Sequence, residues 1–123
     1  MGQFTLKKKF TFEAAHFLPH HDGKCRRLHG HSWAGWVEVE GDRLQTSGPS
    51  AGMVMDFGCI AAAVKPMVEE FLDHYLLNES LDMESPTSEA VAEWMYTRLR
   101  NQGLPVSAVT IEETCTSVCT YRD

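Results

Sequence analysis

The 123-residue sequence has no apolar run approaching the roughly 20 residues of a membrane-spanning helix, so none is expected. Its start, MGQFTLKKKF, lacks an apolar h-region, and Leu6 stands where a myristoylation signal has serine or threonine. Neither a secretory signal nor a lipid anchor is expected there. Positive charge is scarce, with 11 Lys and Arg against 17 Asp and Glu and a net charge of −6. Such a chain has no general attraction for nucleic acid or acidic lipid, and an anionic ligand must be met by a local basic cluster. Cysteine is limited to four residues, Cys25, Cys59, Cys115 and Cys119, with no CxxC pair. A reducing cytoplasmic setting is therefore expected rather than a disulfide framework. Internal repeats, low-complexity tracts and linkers are absent too, which points to one domain over residues 1–123, long enough to bury its own core.

What is present begins with alternation. From Phe4 the even positions read Phe4, Leu6, Lys8, Phe10, Phe12, Ala14 and His16, against Thr5, Lys7, Lys9, Thr11 and Glu13 between them. That is a strand with one apolar face. HGHSWAGWVEVEG alternates as well, and places His29, His31, Trp33, Gly35, Val37 and Val39 on one side. The connection FLPHHDGKCRRL is polar and about a dozen residues long, beyond the usual hairpin loop. DRLQTSGPSAG reads as a turn-rich excursion and MVMDF as a short third strand.

From Gly58 the positions Ile60, Val64, Met67, Val68, Phe71 and Leu72 follow helical spacing, with Asp56 as cap and Pro66 set to kink or divide the helix. A second helix opens in SPTSEAVAEW with Thr87 as N-cap and Glu89 in its first turn, and stops at Gly103 before Pro105. A last strand runs from Val106 to Cys115. The order β-β-β-α-α-β gives an α+β fold, a four-stranded antiparallel sheet with two helices on one face.

CRRLHGHSW carries the chemistry. The two-residue period of a strand points His29 and His31 the same way. His16 ends the preceding strand on its apolar face, so antiparallel pairing brings three imidazoles together at the base of the loop. Three histidines with a free fourth position make a catalytic zinc site; the plain alternative is a set of half-buried histidines. His20 and His21 lie in loop sequence and are expected to face solvent. Cys25 is either a fourth ligand, which would close a structural site, or a free thiol among Lys24, Arg26 and Arg27 acting as base or nucleophile. Cys59 lies on a helix, and Cys115 and Cys119 are expected to bracket a C-terminal turn.

Asp73 and His74 end the first helix, as a proton-handling pair or as a histidine favoured by the helix dipole. Glu113 shares a face with Val109 and Ile111, where a carboxylate needs a partner or an outlet to water.

FEAAH, CRRLHGHS, LDHYLL, SPTSEAVAEW and EETCTS, in this order from about Lys9 to Arg122, resemble the 6-pyruvoyl-tetrahydropterin synthase family. Within it, a cysteine followed by three residues and HGH is similar to the branch that makes 6-carboxy-tetrahydropterin in bacterial queuosine biosynthesis. The resemblance implies zinc on His16, His29 and His31, Cys25 as catalytic thiol, Asp73 and His74 as a second proton-transfer group, and Glu113 as anchor of the pterin ring. It implies 7,8-dihydroneopterin triphosphate as substrate, with acetaldehyde and triphosphate released. It also implies the tunnelling fold, whose sheets close a barrel in trimers that stack into hexamers, with active sites between subunits. A pyruvoyl-forming or other pterin side-chain lyase, and a non-catalytic zinc-binding or redox-sensing module with Cys25 as ligand, are the alternatives.

Overall fold

The computed structural model describes residues 2–123. Its spine is an antiparallel hairpin of β1 (Phe4–His16) and β2 (His29–Gly41), in unbroken register from Phe4 opposite Gly41 to His16 opposite His29. The alternation sends Phe10, Phe12, Ala14 and His16 of β1 and Trp33, Val37 and Val39 of β2 into the core. Phe10 lies over Phe12 at 6.1 Å and Phe12 over Trp33 at 5.6 Å between ring centroids, so an aromatic row runs along the hairpin towards His16. Gly35 makes room for this row. A Cβ there would sit 2.5 Å from Phe10 Cζ and collide with the Thr110 carbonyl. Gly35→Ala is expected to lower stability by about 1–3 kcal/mol, as read from the midpoint of denaturant unfolding.

The sheet has the order β3-β1-β2-β4-β5. β4 (Val106–Thr114) pairs antiparallel with β2 through a bulge at Glu38/Val39, and β5 (Ser117–Tyr121) pairs antiparallel with β4. β1, β2, β4 and β5 thus make the expected four-stranded antiparallel sheet, but with different members. MVMDF is not a strand: Gln45 N–H donates to the Met53 carbonyl at 2.9 Å and Gly52 N–H to the Gln45 carbonyl at 2.8 Å. That segment closes on its own loop and has no edge to join. The C-terminal stretch is strand instead. The chain turns at Cys115 and Thr116, so Cys115 stands in the turn rather than before it, and Cys119 lies beyond it within β5. A fifth strand, β3 (Tyr75–Leu76), runs parallel to β1 beside Ala14 and Ala15.

Both long helices lie on one face of the sheet. α1 (Phe57–Met67) starts where Asp56 accepts from Gly58 N–H at 2.7 Å, and buries Ile60, Val64 and Met67. Pro66 has no N–H to give to the preceding turn, and just beyond it the helix widens into a π-helical turn, Val68–Leu72. A single short turn, α2 (Leu77–Ser80), follows β3. α3 (Ser88–Asn101) is capped by Thr87, which accepts from Ala90 N–H, and buries Val91, Ala92, Met95, Tyr96 and Leu99. Gly103, at φ +96, turns the chain out of α3 before Pro105.

Candidate metal centre and active site

His16 and His29 face each other across the last rung of the hairpin, and His31 lies two residues further along β2. One ring nitrogen from each of the three lies within 4.8 Å of the others, a group able to hold a metal ion. The hydrogen bonds settle which nitrogen. Nδ1 of His16 donates to the Pro86 carbonyl at 2.8 Å, that of His29 to the Arg27 carbonyl at 2.7 Å, and that of His31 to the Ser32 carbonyl at 3.0 Å. A carbonyl only accepts, so each Nδ1 carries the proton and each Nε2 keeps its lone pair. Nε2 of His16 and of His31 is buried with no hydrogen-bond partner among the described residues. Buried polar atoms without partners are costly, and a cation among the three lone pairs would satisfy them. The donor set fits a metal.

His16 is 1% exposed and packs edge-on to Trp33 at 4.8 Å. Burial pulls its pKa below the usual imidazole value, against the opposing pull of the Pro86 carbonyl and Glu113. It is therefore neutral and ready to ligate at neutral pH. Glu113 reaches the same place from β4: its Oε1 lies 3.5 Å from His31 Nε2 and 3.8 Å from His16 Nε2. Its Oε2 accepts a short hydrogen bond from the Ser88 hydroxyl, at the start of α3. The acid on the apolar stripe is thus paired, and one oxygen remains directed at the imidazoles.

Cys25 sits half-exposed on a 3-10 turn, Lys24–Arg26, and is not a member of the three-histidine group. Its turn is held by Leu18 N–H donating to the Cys25 carbonyl at 2.8 Å. Its neighbours Lys24, Arg26 and Arg27 line an open cleft together with Asp22 and Gly23. His20 and His21 are exposed, as expected, although His20 pairs with Glu84 at 2.6 Å.

Asp73 and His74 clamp onto β1 rather than merely ending a helix. Asp73 Oδ1 accepts from Glu13 N–H at 2.9 Å, and His74 N–H donates to the Glu13 carbonyl at 2.6 Å. Asp73 Oδ2 lies 2.9 Å from His74 Nδ1. The imidazole is thereby oriented by a carboxylate, in a side chain that is 78% exposed, and its Nε2 has no partner among the described residues. His74 and His31 line the same cleft, of about 450 Å3, together with Glu13, Gly30 and Tyr75.

Residues 5–123 match the family described as 6-pyruvoyl tetrahydropterin synthase. The chain belongs to that family. It is 56% identical over 117 residues to the 6-carboxy-5,6,7,8-tetrahydropterin synthase of Synechocystis, covering 94% of this chain and 91% of that protein. With the Bacillus subtilis protein of the same name it shares 35% over 133 residues, covering 97% and 85%. Among solved structures, the 6-pyruvoyl tetrahydropterin synthase of Caenorhabditis elegans superposes with a TM-score of 0.82 at 28% identity, covering 100% of this chain and 97% of that one. This pterin-synthase chain is a lyase with the tunnelling fold. None of its helices among the described residues is long and apolar enough to cross a membrane.

In this synthase two participants escaped the reading of single residues. Ser88 stands inside SPTSEAVAEW, where only its helix-starting context was legible, and Pro86 contributes a carbonyl, which side-chain identity does not encode. Asp73 supplies a test of the clamp. The Glu13 N–H, and then His74, hold its carboxyl below the usual carboxylate range. A depressed folded pKa stabilises above the unfolded value near 4 and loses that contribution as pH falls through the folded one. Asp73→Asn is therefore expected to melt below wild type at neutral pH, with the gap closing in acid, as read from Tm between about pH 7 and 3.

Proposed function

We propose that this chain converts 7,8-dihydroneopterin triphosphate and one water to 6-carboxy-5,6,7,8-tetrahydropterin with release of acetaldehyde and triphosphate, as a step of bacterial queuosine biosynthesis. The observation that carries the reading is the convergence of three lone-pair nitrogens beside Glu113, in a chain 56% identical to a carboxy-tetrahydropterin synthase. His16, His29 and His31 would hold zinc, which supplies Lewis acidity towards the side-chain hydroxyls of the substrate.

The chain's own residues do the rest. Cys25, as thiolate, removes a proton from the substrate side chain. His74, oriented by Asp73, exchanges protons through Nε2 in the cleft that it shares with His31. Glu113 accepts from the N–H groups of the pterin ring, in the two-oxygen manner open to a carboxylate. Ser88 fixes its rotamer by donating to Oε2. Lys24, Arg26 and Arg27 offer charge to the triphosphate in a chain otherwise acidic. The active form is a homo-oligomer, a trimer or hexamer, in which the open edges at β3 and β5 find partners, and it works in the cytoplasm.

The deciding experiment is mass analysis of the products formed from dihydroneopterin triphosphate. A carboxy product with acetaldehyde supports the proposal. A pyruvoyl product, favoured by the family description and the C. elegans neighbour, replaces it with the second reading.

A further inference from the structure

His16 is the last residue of the β1 ladder, and two irregular segments adjoin it, neither with a sheet ladder of its own. The chain leaves β1 at Phe17, immediately after His16, and residues 81–87 bring in the Pro86 carbonyl that takes the His16 Nδ1 proton. One side chain joins them. Asn78, in α2, accepts from Phe17 N–H through Oδ1 at 3.0 Å, and donates through Nδ2 to the Phe17 carbonyl at 2.9 Å and to the Glu84 carbonyl at 3.0 Å. Its acceptor and both its donors are engaged.

Asn78 is itself well placed to act as a fixed point. α2 follows directly on β3, which is paired to β1 beside Ala14 and Ala15, and the Asn78 carbonyl accepts from Met83 N–H at 3.1 Å. We propose that Asn78 is a positioning residue for the metal centre, fixing His16 from two sides. It sets the main chain through Phe17 and the ring through the segment Glu84–Pro86. This rests on the reading that His16, His29 and His31 hold zinc. Aspartate is nearly isosteric but has no donor when ionised, and would set a carboxylate against two carbonyl oxygens. Groups that orient metal ligands from behind matter nearly as much as the ligands, and their loss weakens metal binding about 10- to 100-fold. The exposed His20–Glu84 pair spans the same two segments, but exposed pairs contribute little. It serves as the control.

The test is Zn2+ competition against a chromophoric chelator, using the full metal-free chain as wild type, Asn78→Asp and Glu84→Ala. Far-UV circular dichroism and Tm monitor folding, and the d–d bands of the Co2+-loaded forms report ligand geometry. Asn78→Asp is expected to remain folded, to weaken Zn2+ by about 10- to 100-fold and to shift the Co2+ bands. Glu84→Ala is expected to stay within about twofold of wild type. A folded Asn78→Asp that holds Zn2+ as tightly as wild type overturns the inference, because a merely structural role lowers Tm alone. Weakening by Glu84→Ala equal to that by Asn78→Asp overturns it as well. If Asn78→Asp does not fold, Asn78→Ser undergoes the same competition, and unchanged affinity there has the same consequence. Wild-type protein unable to hold Zn2+ overturns the metal reading and this inference together, whereas binding equal in wild type and variant overturns this inference alone.

Discussion

Cys25→Ala is expected to lower turnover by about 10²- to 10⁴-fold, the usual contribution of a positioned acid or base, while the protein keeps its metal. The second half of that expectation is the informative one. The thiol stands outside the three-histidine group, and its turn is held by a main-chain bond from Leu18 that the substitution leaves intact. Removal of one sulfur from a half-exposed position opens no core cavity. Acetaldehyde release measures the turnover, and metal analysis of the purified variant measures the zinc. Zinc lost together with the thiol would make Cys25 a ligand and turn the site into a structural one.

His31→Ala should abolish tight zinc binding and reduce turnover to background. Two nitrogens and water do not replace the three-histidine set of an open zinc site. His31 is the better choice than His16 for this measurement. Its ring stacks on Trp33 at 4.6 Å but is partly exposed, whereas His16 is buried under the hairpin and its loss would damage packing as well. Added Zn2+ stabilises a protein that binds it only when folded, by about 2.7 kcal/mol at a hundredfold excess over Kd, and so raises its Tm. Wild type is expected to show that rise and His31→Ala to lack it. An equal rise in both would place the ion elsewhere.

The hairpin and its histidines were legible because period-two alternation is a long-range signal read residue by residue. Placing His16 beside His29 needed only strand parity and an antiparallel turn. Both helix caps were legible too, since Asp56 and Thr87 act on N–H groups two or three residues away. The errors fell where pairing is decided by partners distant in sequence. MVMDF has strand-like residues, yet the Met53 carbonyl accepts from Gln45 N–H and the Met53 N–H donates to the Ser50 carbonyl within the same loop. β5 carries Val118 outward at 62% exposure while Tyr121 meets Tyr96 of α3 at 5.0 Å, so its apolar residues give no clean alternation. β3 is two residues long and exists because Asp73 and His74 fasten to Glu13, which no local pattern announces. At the site, imidazole positions were readable, but the Pro86 carbonyl and the Ser88 hydroxyl were not, since both act through geometry that the fold creates.

The place of the histidines within the hairpin has a consequence for the strands themselves. A two-stranded ladder frays from its ends, and the rung of His16 and His29 is the end from which the loop of residues 17–28 departs. An ion gripped from both strands would act there as a clip on the folded chain, shutting the loop and holding the last rung closed. It would also be selective, because a slip of one residue between β1 and β2 turns His16 to the opposite face from its partners. Metal and hairpin would then each hold the other in its one correct alignment.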